Sequence, residues 1–98
     1  MEQKNVLALL KSHRAYFLQK YPLETLALFG SFARDEQTKE SDVDLLVEFE
    51  DGTKNIYDTK QALNSFLSKA FERSVDIARE KYLKPYAKDF ILRDTIYV

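Results

Sequence analysis

Two apolar runs of strand length, LETLALF (Leu23 to Phe29) and DVDLLVEF (Asp42 to Phe49), are joined by a polar stretch that opens on Gly30-Ser31. That stretch suffices for one helical turn and a return loop, so the second strand can lie alongside the first. The second run begins with Asp42 and Asp44. Alternation along a strand puts both carboxylates on one face, roughly 6.6 Å apart along the chain, with Val43, Leu45 and Val47 facing the other way. Like charges so placed repel, so either the strand end is simply solvated or a positive species sits between them.

The rest of the chain supplies cover for these strands. From Lys4 to Lys20, Val6, Leu7, Leu10, Ala15 and Phe17 fall near helical spacing, and the segment ends at Tyr21-Pro22, where proline pushes its neighbour out of the α region. His13 lies close to this stripe and reads as a packed or edge residue. Ser31 is a good N-cap for a helical turn over Phe32 to Glu36, and Gln37 to Ser41 reads as a loop. A turn at Glu50 to Thr53 leads to an amphipathic helix from Asn55 to Glu72 on Ile56, Leu63, Phe66, Leu67 and Ala70. Arg73 to Ala78 is a third short strand with Asp76 in its middle. Pro85 opens a last helix running through Phe90, Ile91 and Leu92. This order predicts an α/β (α+β) fold, a small mixed three-stranded sheet flanked by about four helices, in a single domain over residues 1–98.

Charge and composition exclude several classes. Fifteen basic and sixteen acidic residues leave a net charge of −1, with no Lys/Arg block longer than two, so a nucleic-acid substrate gains no support from phosphate neutralisation. No run approaches a membrane span, the N-terminus lacks the features of a signal peptide, and a cytoplasmic protein is expected. There are no cysteines, which rules out disulfides and thiolate metal sites.

Taken singly, Gly-Ser and Asp-x-Asp are common punctuation of loops and strand ends. Together, Gly30-Ser31, ten intervening residues and Asp42-Val43-Asp44 fix four residue types in one register, on the order of one in a hundred thousand per starting position at average usage. A Gly-Ser turn at a helix start offers backbone N–H groups and a hydroxyl to a phosphate chain with little side-chain bulk in the way. Paired carboxylates beside it suit Mg²⁺, which is commonly shared between one or two carboxylates and substrate phosphates.

The stretch FGSFARDEQTKESDVDLLVEF resembles the nucleotidyltransferase signature of the DNA polymerase β superfamily, and the small size resembles its minimal nucleotidyltransferase (MNT) branch. The resemblance covers most of the chain, because RSVDIA stands where that family carries its third carboxylate. It implies that Gly30 and Ser31 hold the β- and γ-phosphates of ATP, that Asp42 and Asp44 bind two Mg²⁺ ions, and that Asp76 completes the metal site and helps deprotonate the attacking hydroxyl. For Asp76 alone, a surface-exposed acid on a strand is the other reading. Arg34 is a candidate phosphate contact by position, and a solvated arginine on a short helix explains it equally. Family members commonly carry glycine after the Ala-Arg pair; this chain has Asp35, a departure that bears on the local turn.

MNT-branch proteins of this size resemble the antitoxins of HEPN/MNT toxin-antitoxin pairs. The resemblance implies transfer of AMP from ATP to a tyrosine hydroxyl of a helical HEPN-domain RNase toxin, with release of pyrophosphate. Two other functions use the same fold: a non-catalytic module that masks its toxin, and a small-molecule nucleotidyltransferase. Acids lining an open cleft, with Glu48, Glu50 and Asp51 as candidates, would favour the latter. Phe32 and Tyr97 are the aromatic residues to inspect at a partner interface, with core packing the default for any aromatic.

Overall fold

The computed structural model describes residues 1–98. In chain order its elements are α1 (Gln3–Ser12), α2 (Arg14–Lys20), β1 (Leu23–Phe29), α3 (Gly30–Ala33), β2 (Val43–Phe49), α4 (Ile56–Phe71), β3 (Val75–Arg79), a 3₁₀ turn (Glu80–Tyr82), α5 (Pro85–Arg93) and β4 (Ile96–Tyr97). The strands form one mixed sheet in the order β3-β2-β1-β4. β1 and β2 pair antiparallel, whereas β2 and β3 pair parallel, as they must when α4 carries the chain back to the starting end of the sheet.

One sheet face builds the core. Leu26 and Leu28 of β1, Val43, Leu45, Val47 and Phe49 of β2, and Val75 and Ile77 of β3 pack against Val6 and Leu10 of α1, Phe17 of α2, and Leu63, Leu67 and Phe71 of α4. The alternation expected for β2 is therefore the one observed. Leu46 and its register partner Ala27 are also buried, on the other face. Truncating a core aromatic such as Phe17, which is fully buried, costs about 3–5 kcal/mol in transfer and cavity terms.

Three local expectations are corrected, and the placement of Phe32 and Tyr97, open in the sequence, is decided. The sheet has a fourth strand, Ile96–Tyr97, pairing antiparallel with Leu28 and Ala27 of β1; two residues carry too little alternation to be read as a strand. The helix expected from Lys4 to Lys20 breaks at His13, whose φ of −106° and ψ of 6° end α1 and begin α2. His13 Nδ1 lies 3.1 Å from the Leu9 carbonyl oxygen and its ring stacks on Phe17 at 5.7 Å, so the break still delivers Phe17 to the core while Ala15 is left exposed. In α4, Phe71 rather than Ala70 reaches the core. Phe32 is fully buried in the core and offers no interface, whereas Tyr97 is 50% exposed. No helix is long and apolar enough to cross a membrane.

Candidate active site

Sheet register assembles the carboxylates. Asp44 is the Cα partner of Asp76 across the parallel β2/β3 pair and of Phe29 across the antiparallel β1/β2 pair. Phe29 leads directly into Gly30-Ser31, so one residue of β2 stands between the Gly-Ser turn and the third acid. Asp42 lies one residue before β2, exposed, on a loop and not in the strand as expected; Asp76 is exposed and Asp44 half-buried. The three acids predicted from sequence are thus brought to one end of the sheet, on the face opposite the core.

Gly30 is where backbone and carboxylate meet. Its φ is +74°, and a Cβ added there would overlap Asp44 Oδ2 and come within 3.0 Å of Asp44 Cγ. A residue with any side chain would therefore displace the carboxylate as well as strain the turn. Ser31 does not cap α3: Phe29 occupies the N-cap position, with no side-chain cap bond. The turn into α3 is made by Gly30 itself, at φ +74°, one position ahead of the serine. Asp35, at φ 58°, ends this turn in the left-handed region. Glycine adopts that conformation freely, and aspartate is among the few other residues that tolerate it.

The acids repel one another. The Asp44 carboxyl is pushed above the usual carboxylate range by burial, then by the Asp76 and Asp42 charges, while the Arg34 guanidinium pulls it back. None of the three acids takes part in an ion pair. Arg34 itself is partly exposed, with Nε 3.5 Å from Glu36 Oε1, a surface contact of little energetic weight. No group of three acidic, His or Cys side chains is drawn close enough to form a ready-made metal cage, so the acids form an open, charged rim.

Two positioning residues carried no sequence signal, because their partners lie some thirty residues away. Gln3 Nε2 donates to the carbonyl oxygens of Phe32 and Ala33 at 3.0 and 2.9 Å, pinning the end of α3. Arg73 Nη1 donates to the Ser41 carbonyl at 2.9 Å, and its guanidinium lies 5.2 Å from the centre of the Phe32 ring. Arg73 therefore ties the loop carrying Asp42 to the turn carrying Ser31. On β3, Asn64 Nδ2 donates to the Val75 carbonyl at 2.7 Å.

One hollow adjoins this region and a second lies away from it. A cavity of about 160 Å³ beside Asp76 is lined by Tyr57, Lys60, Gln61, Asn64 and Ile77. A larger one of about 370 Å³ is lined by acids including Glu24, Glu48, Glu50, Asp51 and Glu80, which is the kind of acidic cleft considered above. It lies at the far end of β2: Glu48 is four residues beyond Asp44, roughly 13 Å along the strand. Glu48 is not a free charge either, since it accepts from Arg79 Nη2 at 3.1 Å and from the Lys81 N–H at 2.7 Å.

The family described as "Nucleotidyltransferase domain" matches residues 10–98. A protein of Methanocaldococcus jannaschii named "Putative protein adenylyltransferase MJ1379" is 38% identical over 91 residues, covering 92% of this chain and 91% of that protein. "Protein adenylyltransferase MntA" of Thermococcus cleftensis is 26% identical, over 97% and 94% of the two chains. A solved structure described as a "putative minimal nucleotidyltransferase" superposes with a TM-score of 0.81 at 29% identity, over 98% and 95% of the two chains.

Proposed function

The chain belongs to the nucleotidyltransferase domain family, and from that premise we propose that its single domain is an Mg²⁺-dependent protein adenylyltransferase acting as an antitoxin. It transfers AMP from ATP to a tyrosine hydroxyl of a cognate HEPN-type RNase toxin in the cytoplasm and releases pyrophosphate. The observation that carries this reading is the register that sets Asp44 beside Asp76 with Gly30 against its carboxylate. The names of the relatives, protein adenylyltransferases that match over nearly their whole length, support the choice of reaction.

The residues present fit Mg²⁺. Burial, and then the neighbouring Asp76 and Asp42 charges, raise the Asp44 carboxyl despite the Arg34 guanidinium, and none of the three acids has an ion-pair partner; an all-oxygen donor set suits a hard cation. Asp42 and Asp44 would hold it, with Asp76 completing the site, and the open rim leaves coordination positions for substrate phosphates. When bound, the metal would neutralise charge that develops on the phosphate oxygens.

The chain's own groups do the rest. The Gly30-Ser31 turn receives the β- and γ-phosphates on backbone N–H groups and the Ser31 hydroxyl, and Arg34 adds a positive charge on the same side. This orients the α-phosphorus toward β3. The phenol oxygen of the acceptor attacks phosphorus in line, the bond to the bridging oxygen of the pyrophosphate breaks, and Asp76 takes the phenol proton and passes it to water.

The test is to incubate the protein with Mg²⁺, ATP and the product of the adjacent gene and to weigh that partner by intact mass spectrometry. Whole AMP units gained with the wild type, and none with an Asp42→Ala, Asp44→Ala double variant, are expected. A partner that is bound and inhibited yet never modified would replace this reading with masking.

A further inference from the structure

β3 is an edge strand, and its outer edge is unpaired. The Val43 N–H donates to the Ser74 carbonyl, so the alternation of a parallel ladder turns the backbone groups of Ser74 and Asp76 toward β2 and those of Val75 and Ile77 outward. Asn64 takes the Val75 carbonyl. Ile77, 5% exposed, lies at the floor of an open hollow of about 460 Å³, walled by Ile56, Tyr57, Arg79, Tyr82 and Leu83.

The aromatic walls are exposed yet held in place. Tyr57 is 73% and Tyr82 68% exposed. The Tyr57 hydroxyl accepts from Gln61 Nε2 at 2.9 Å, and the Arg79 guanidinium sits 4.9 Å from the centre of the Tyr82 ring. Exposed tyrosines with only two χ angles to fix bury large area at low entropic cost, which is what an interface anchor requires.

We infer that this β3 edge is the docking site of the protein on which the chain acts, received as an extended segment with apolar and acidic side chains; the inference rests on the reading above that the acceptor is a protein. Position argues for that occupant. The hollow shares Tyr57, Lys60 and Ile77 with the smaller cavity that contains Asp76, so a segment lying along β3 brings its side chains to the carboxylate that receives the hydroxyl proton. Charge argues for it too. Lys60 lines the hollow, Lys81 and Lys84 flank Tyr82 and Leu83, and none of them is in an ion pair. A second copy docked edge to edge would set these cations against themselves, whereas an acidic segment is drawn in. The exposed tyrosines supply contact area and the lysines select acidic side chains.

The experiment titrates the full chain with the purified product of the adjacent gene by calorimetry, without nucleotide, and then measures AMP gained by that partner with Mg²⁺ and ATP. Tyr57→Ala, Tyr82→Glu and Lys81→Glu, the last leaving both aromatics in place, should each weaken partner binding at least tenfold, with ATP affinity of the free chain unchanged in the Tyr82 and Lys81 variants. Wild-type affinity in all three variants overturns the inference. So does a wild type that binds no partner, or one whose self-association the variants abolish. Partner binding lost in the variants, with no AMP gained even with the wild type, upholds the docking surface and overturns the transferase reading alone.

Discussion

Asp44 and Asp76 face each other as register partners on adjacent parallel strands, with no ion-paired cation at either. Burial and this repulsion raise the Asp44 carboxyl, so the folded chain binds that proton more tightly than the unfolded chain does. The metal-free fold should then lose stability as pH rises from the ordinary carboxylate range, about 4, through the raised value. Asp44→Asn should raise the metal-free melting temperature by a few degrees at pH 7, leave it unchanged near pH 3, and abolish transfer. A variant that melts below wild type at pH 7 would contradict the repulsion.

Mg²⁺ should reverse the same penalty. Thermal melts with and without the ion are expected to show stabilisation of the wild type, about 2.7 kcal/mol at a hundredfold excess over Kd. The Asp42→Ala, Asp44→Ala double variant should show no response, and chelation should stop transfer by the wild type.

Two glycines separate backbone strain from site geometry. Gly30 and Gly52 both have positive φ, +74° and +81°, but a Cβ at Gly52 meets nothing within 4 Å. Alanine at either should cost about 1–2 kcal/mol from the left-handed conformation. Only Gly30→Ala should also lose transfer, by at least a hundredfold, because it moves the Asp44 carboxylate. Equal transfer rates for the two variants would detach Gly30 from the site.

Arg73 should act through Asp42. Asp44 and Asp76 are fixed by sheet register, whereas Asp42 precedes the strand and its neighbour Ser41 is held by the Arg73 guanidinium. Arg73→Ala is expected to weaken Mg²⁺ binding about tenfold, and in a double-mutant cycle with Asp42→Asn the two losses should fall well short of additive. Full additivity in metal affinity would make Arg73 a purely structural residue.

Asp35 holds a left-handed conformation at φ 58°. Asp35→Gly should stabilise the fold by about 0.5–1 kcal/mol in denaturant titrations and leave transfer intact. A destabilised variant would mean that the aspartate side chain contributes to the turn.

The legible parts of this fold were those written in local pattern. Alternation in DVDLLVEF announced β2 and its acid-bearing face, and the apolar spacing of Leu63 and Leu67 announced α4. What stayed hidden depends on distant partners or on very short elements. β4 consists of two residues whose strand character comes from pairing with Ala27 and Leu28. The break at His13 interrupts no apolar spacing. Phe32, beside the candidate nucleotide turn, could be core or interface in sequence, and only the fold closes the core over it. Gln3 and Arg73 are ordinary polar residues in sequence, and only the fold brings them to α3 and to the Ser41 loop.

The crossover through α4 divides the site by folding order. β1 and β2 are joined by a short segment and pair antiparallel, so Gly30 can meet Asp44 through nearly local contacts. Asp76 arrives only after the chain has traversed α4 and closed a longer loop, the slower kind of event. The same asymmetry governs breathing of the native chain. If α4 and β3 open together as one cooperative unit, the Gly30–Asp44 contact persists while the acceptor side disappears. On the proposed mechanism, local opening would then remove Asp76 before it disturbs the Gly30-Ser31 turn, and amide exchange on β3 running ahead of β1 would record it.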